Sequence, residues 1–265
     1  MNVLLRNLIR LLRAGAFDSQ EQLEPLSPHK WRKLYVLAQK HGVASYVDKG
    51  MERTKEQFFL QLPEDMPPRM KKEKSESMPG DPRLTNPMLK RALKKIEEEE
   101  EDDSNKETLQ LLRQLIAITT GILSTGIPLQ RLIQLGTSLR TNGQQADFDK
   151  LQQWTERLHM QRMVQLIGQL LVSLFHFTDE EVPFAPRVGD SQMDAIIEEM
   201  FQHQDAPSSE WMFEQGDGNI FVHTSDSSAM FWQVRHSARY FRYYPAESIT
   251  HFFSSFLRSL QNIEE

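Results

Sequence analysis

The sequence contains no cysteine. That absence removes disulfides, a thiol nucleophile, cysteine-ligated zinc and iron–sulfur clusters in one step. Glycines number only 12 in 265 residues. None of them forms a phosphate-cradling loop, and no serine sits in a nucleophile elbow. An excess of positive charge is also missing. Lysine and arginine total 31 against 37 acids, for a net charge of -6. This argues against a general nucleic-acid binder and leaves room for a local basic patch. A long apolar run is missing too. The most apolar stretch, residues 115–133, is broken by Thr119, Thr120, Ser124, Thr125, Gln130, Arg131 and Pro128. A membrane span needs about 20 mostly apolar residues. The first 17 residues carry Arg6, Arg10 and Arg13, which interrupt any signal-peptide core. The expected location is therefore cytoplasmic.

What is present is helical periodicity. Leu4, Leu5, Leu8, Ile9, Leu11 and Leu12 against the three arginines predict an amphipathic first helix. It packs on a core or lies on a membrane surface, the second of which requires Leu4, Leu8 and Leu11 to be exposed. Ser27-Pro28 is a helix start. Trp31, Leu34, Tyr35, Leu37 and Ala38 follow at helical spacing, and Gly42 ends the segment before a second helix over 44–53. Further helices are expected over 88–96, 108–124, 129–139, 148–159 and 163–175. Asp147 is placed to cap the fourth of these, and Thr178 with Glu181 forms a capping box. Asp190 or Ser191 is expected to cap another helix through Phe201, and a last amphipathic helix is expected over 246–261. Between Phe213 and Val222, Gly216-Asp217-Gly218-Asn219 reads as a turn between short strands. The expected fold is mainly α: a helical bundle with at most one short β-hairpin near residues 211–234.

Three regions are expected. Residues 1–62 form an N-terminal helical hairpin region. Residues 63–107 form a proline-rich, charged and disordered linker. Residues 108–265 form a C-terminal helical domain. The linker assignment rests on Pro63, Pro67, Pro68, Pro79, Pro82 and Pro87, on Arg69, Lys71, Lys72 and Lys74, and on the seven consecutive acids Glu97 to Asp103. Removing those seven from a chain at -6 leaves +1, so the acidity is local. Contiguous acids diverge rather than converge, so the run is expected to be a solvated helix end or linker.

The order of elements resembles the helical parts of a family of bacterial nucleotidyltransferases. Leu11-Leu12-Arg13-Ala14 and the Trp31 to Val43 stretch, ending in His41-Gly42-Val43, resemble that family's opening helix and hairpin. Gly126-Ile127-Pro128-Leu129 resembles its glycine corner. Tyr240-Phe241-Arg242-Tyr243-Tyr244-Pro245 resembles its aromatic C-terminal signature. The resemblance implies a polymerase-β-type catalytic sheet, with paired aspartates holding two Mg²⁺ ions that bridge the triphosphate. The sheet belongs between residues 54 and 105. That interval offers no alternating β-branched strands and no Asp-x-Asp between apolar residues. The expectation is a non-catalytic, degenerate relative that acts as a binding or regulatory protein, without a cofactor or metal.

Two other functions stay open. Asp147-Phe148-Asp149 is an Asp-x-Asp, so an Mg²⁺-dependent nucleotidyltransferase using Asp147 and Asp149 is the alternative. A peripheral membrane binder through the first helix is the second. The partner is expected to be a protein, or a nucleotide held by the basic and aromatic set Arg235, Arg239, Tyr240, Arg242, Tyr243 and Tyr244. His176 with Asp179, Glu180 and Glu181, and Asp217, Asn219 and Asp226 near two glycines, are weaker metal candidates without the required spacing.

Overall fold

The first helix is apolar on most of its circumference, and that fixes its place. The computed structural model describes residues 1–54, 84–99, 106–124, 128–185 and 240–250, with 193, 196, 197 and 201. Helix α1 runs Val3–Phe17, begun by Asn2, whose Oδ1 accepts the Leu5 amide at 2.9 Å. Leu5, Leu8, Ile9, Leu11, Leu12 and Ala14 are all buried. The membrane-surface alternative needed Leu8 and Leu11 exposed. Both are fully buried and Leu4 is partly so, because the bundle covers this face. No helix among the described residues is long and apolar enough to cross a membrane.

Helices α2 (Pro28–Lys40) and α3 (Ala44–Arg53) form the expected hairpin. Gly42 turns the chain at φ +65°, where a side chain would be strained. Helix α3 crosses α1 at backbone contact. Gly15 of α1 lies on the Tyr46 carbonyl, and Gly50 of α3 lies on the Leu11 carbonyl. A Cβ at either glycine would overlap the opposite carbonyl oxygen. Arg53 Nη1 closes the same crossing by donating to the Ala14 carbonyl and pairing with Asp18.

The three arginines of α1 lie on its partly exposed face. They bind the segment 18–26, which returns alongside the helix. Asn7, fully buried, donates from Nδ2 to the Glu24 carbonyl at 2.7 Å and accepts the Glu24 amide at 2.9 Å. Arg6 grips the Glu24 carboxylate with two bonds of 2.7 Å, and Arg10 reaches it at 3.0 Å. Arg13 donates to the Leu174 carbonyl at 2.6 Å and lies 3.7 Å from Glu21. Hydrogen bonds from Arg6 lead the effects that hold the Glu24 carboxyl below the usual glutamate range.

Helices α4 (Pro87–Glu99), α5 (Lys106–Ser124), α6 (Leu129–Asn142), α7 (Phe148–Arg157) and α8 (Gln161–Phe175) complete the bundle, with a 3₁₀ turn at Gly143–Gln145. There is no strand among the described residues. The mainly α fold is therefore as the periodicity implied, and the hairpin at 211–234 lies outside the described residues. Helix α5 is central, with Leu111, Leu112, Leu115, Ile118 and Ile122 buried. At the far end, Phe17, Phe175 and Phe177 cluster with ring centroids 5.2 Å apart. Arg140 lies over Phe177 at 4.3 Å and over Phe17 at 4.9 Å. Gly136 leaves room for both rings.

One hydrophobic cluster joins α1, α2, α4, α5, α6 and α8, so the N-terminal hairpin and the rest share a core. Part of the expected linker belongs to it. Leu84, Leu89 and Ile96 are buried, because α4 presents them inward at helical spacing. The start of α4 is held by Glu247, whose buried carboxylate accepts from the Thr85 amide and hydroxyl and from the Asn86 amide at 3.1 Å. The acids Glu97, Glu98 and Glu99 are helical and paired, with Arg113, Lys94, Lys95 and Arg157. They form the solvent-exposed end of α4, as the acidic run implied. Residues 63–83 and 100–105 lie outside the described residues.

Gly15→Ala and Gly50→Ala are each expected to lower unfolding stability by about 3 kcal/mol, as overpacking of a backbone contact that cannot yield. Gly143→Ala is the control. Its φ of -58° suits alanine, and a Cβ there meets nothing within 4 Å. It is expected to raise stability by about 0.5 kcal/mol. Urea unfolding of the three variants checks both signs. A separate test concerns the 18–26 strap. Glu24 has a lowered carboxyl in the folded chain, so its contribution is fully present above the ordinary glutamate value and is lost as pH falls through the lower, folded one. The stability–pH curve of Glu24→Gln is expected to be flatter than that of the wild type below about pH 4.3.

Candidate functional site

The Asp147-Phe148-Asp149 pair sits at the start of α7. Asp147 has an extended backbone and its Oδ1 accepts the Lys150 amide at 2.9 Å. Its own amide donates to Thr108 Oγ1 at 2.9 Å, which ties the start of α7 to the start of α5. Asp149 lies in the first turn of the helix, where a negative charge meets the positive end of the helix dipole. Both side chains are exposed. A two-metal site needs carboxylates that converge from neighbouring strands. These two occupy the cap and the first turn of one helix, with Phe148 packed between them against the core and its ring 6.5 Å from Phe184.

The C-terminal aromatic set is divided by burial. Tyr240 and Tyr244 are buried in the core. Burial, with Glu247 close by, pushes the Tyr244 hydroxyl above its usual range. It stays a neutral phenol. Arg242 lies over the ring of Tyr243, 4.6 Å from its centroid, and bonds its hydroxyl. Arg162 donates to the Arg242 carbonyl at 3.3 Å. The structure thus brings Tyr240, Arg242, Tyr243 and Tyr244 together as packing, with two of the three tyrosine rings turned inward. Arg235 and Arg239 lie outside the described residues.

The weaker metal candidate at residues 176–181 is absorbed locally. His176 closes α8 in the left-handed conformation at φ 56°. Partial burial, then Arg13, lowers its imidazole from the usual range. Glu181 completes the capping box, accepting the Thr178 amide at 2.9 Å, while its own amide donates to Thr178 Oγ1 at 3.3 Å. Its other oxygen takes Arg140 at 2.8 Å. Among the described residues no three histidines or acids are grouped to hold a metal ion. Asp217, Asn219 and Asp226 lie outside the described residues.

A different feature forms an opening. Helices α4, α5 and α6 enclose a cleft of about 590 Å³. One wall is Lys90, Leu93, Lys94 and Glu97 of α4. The floor is Gln110, Arg113, Gln114, Ile116 and Ala117 of α5. Arg131 and Gln134 of α6 form the other wall, and Leu84 closes one end. Four cationic side chains thus meet one carboxylate, in a chain whose net charge is negative. That carboxylate, Glu97, is taken up by Arg113 at 2.8 and 3.0 Å. Lys94 reaches Glu98 at 3.4 Å, with both groups largely exposed. Such a contact is worth little and is easily exchanged. Arg131 is held over α5 by a 2.7 Å bond from Nη1 to the Ala117 carbonyl. Gln114 donates from Nε2 to Ser138 Oγ at 2.9 Å, and its buried Oε1 has no hydrogen-bond partner. A buried acceptor in that condition carries a desolvation cost that a ligand donor relieves.

Sequence reasoning missed this cleft. Its residues come from three helices, and one of those helices was assigned to a linker. The available signal was modest: Lys90 and Lys94 four apart, with Gln110, Arg113, Gln114 and Ala117 on one face of α5. The sequence matches no family model, no curated protein and no solved structure.

The cap assignment has its own test. Asp147→Ala is expected to cost about 1 kcal/mol in thermal or urea unfolding. Asp147→Asn is expected to cost little, since asparagine caps equally well. A site that used the aspartate's charge would separate Asn from Asp in function, while a cap treats them alike.

Proposed function

We propose that this chain is a non-catalytic binding or regulatory protein, built on helices that resemble those flanking the catalytic sheet of nucleotidyltransferases. One observation carries the reading: Asp147, the only acid offered in an Asp-x-Asp pattern with Asp149, spends its carboxylate on capping α7. The carboxylate already serves a structural purpose that explains its presence. The supporting observation is the cleft between α4, α5 and α6. Its walls are fixed by core residues of each helix, so it is a preformed surface. Binding by a rigid cleft requires no residue that changes its chemical state.

The test is direct. The full chain is incubated with each of ATP, CTP, GTP and UTP and Mg²⁺, and pyrophosphate release is measured. No release above background is expected. Release that disappears in the Asp147→Asn, Asp149→Asn double variant would overturn the reading and make this an Mg²⁺-dependent nucleotidyltransferase.

A further inference from the structure

We infer that residues 240–250 form a clasp that opens while the rest of the bundle stays folded, and that the Glu247 carboxylate is its catch. The clasp sits beside Leu84, which closes one end of the α4–α5–α6 cleft, and the inference stands whether or not the chain is catalytic. Its hold is polar and local. Residues 245–250 are helical. Glu247, fully buried, accepts from the Thr85 amide, from the Thr85 hydroxyl at 2.8 Å and from the Asn86 amide at 3.1 Å. Asn86 Nδ2 donates to the Ala246 carbonyl at 3.3 Å, and Thr250 Oγ1 lies 2.9 Å from Thr85 Oγ1. These contacts join one dipeptide, Thr85-Asn86, to one short helix. Hydrogen bonds to an ionised group are roughly twice as strong as neutral ones, so the carboxylate carries most of this hold.

The same segment carries a cost that opening removes. The hydroxyls of Tyr244 and Ser248 are buried and have no hydrogen-bond partner. Water satisfies both once the segment lifts away. Apolar burial offsets this cost only in part. Tyr240 and Tyr244 are the buried hydrophobic residues of the clasp, while Phe241 and Ile249 are exposed. Helices α1 and α5 are anchored by many more apolar side chains. Segments with few buried apolar contacts open below the free energy of global unfolding. Opening releases Thr85 and Asn86 together, so the first turn of α4 loosens with the clasp. Leu89 and Ile96 keep the rest of α4 on the core, and the cleft keeps its walls. What changes is access at the Leu84 end. The device therefore links the C-terminal aromatic segment to the mouth of the cleft.

Hydrogen exchange of the full chain tests this, read by mass spectrometry on peptides from α1, from residues 85–99 and from residues 240–250. In the wild type the 240–250 amides are expected to be at least about tenfold less protected than those of α1. Tyr244→Phe removes an unpaired hydroxyl and keeps the ring. It is expected to raise protection of 240–250 at least about threefold. Glu247→Gln keeps the shape, removes the charge and turns an amide donor toward the Thr85 and Asn86 donors. It is expected to lower protection of 240–250 and of the first turn of α4 at least about tenfold, with α1 unchanged. Thr85→Val, which removes one donor to the carboxylate, is the milder variant, with a loss of about threefold expected in 240–250. Equal protection of 240–250 and α1 in the wild type overturns the separate opening. Protection lowered or unmoved by Tyr244→Phe overturns the cost assigned to its hydroxyl. A loss that spreads equally to α1, or no loss in either Glu247→Gln or Thr85→Val, overturns the catch.

Discussion

The contact between α1 and α3 sets the rest of the structure. Two glycines, Gly15 and Gly50, let the helices meet backbone to backbone, each against a carbonyl of the other. Any larger residue holds the axes apart. With α3 seated so closely, α1 is enclosed on one side by the hairpin. Its remaining apolar residues must be covered by α6 and α8, and they are. The end of α1 then delivers Phe17 into the ring cluster with Phe175 and Phe177, under the Arg140 guanidinium. Arg13 reaches the last turn of α8 and satisfies the Leu174 carbonyl. The first helix is the axis about which the bundle is arranged, as the core-packing reading of its leucines implied.

Charge is distributed on the same logic. The arginines of α1 are consumed internally by Glu24, Glu21 and a helix-end carbonyl. The acids at the end of α4 are consumed by Arg113, Arg157 and the lysines one turn earlier. Glu247 is buried and spends its charge on three donors at the start of α4. Groups that read as patches along the chain are largely neutralised by partners far away in sequence. The α4–α5–α6 cleft follows the same logic, with Arg113 on Glu97, Lys94 on Glu98 and Arg131 on the Ala117 carbonyl.

Capping governs how the carboxylates are interpreted. Asp147 and the Thr178–Glu181 box each satisfy amides that a helix start or turn leaves open. An Asp-x-Asp pattern and a His176 followed by acids look chemical only while those amides are ignored. Once the backbone donors are counted, the side chains have partners. The tyrosines of the C-terminal signature are accounted for by packing. Tyr240 and Tyr244 complete the core, while Phe241 and Arg242 are exposed and Tyr243 is partly so.

The sequence by itself determined the elements. Periodicity placed α1 to α8, α4 and α7 included. Ser27 and Asp147 marked helix starts, and Gly42 marked a helix end, because these depend on residues within one or two turns of each other. The lack of cysteine and of phosphate-cradling glycine loops removed whole classes of chemistry before any fold was considered. Only the tertiary structure decided what those elements do. It placed α4 in the core rather than in a linker, because the partner of its first turn is Glu247, some 160 residues away. It gave the α1 arginines their partners, because the segment that pairs with them doubles back along the helix. It assembled the cleft from three helices and left Gln114 Oε1 without a partner. Spacing along a chain reports which residues share a face. It does not report which face another helix will cover.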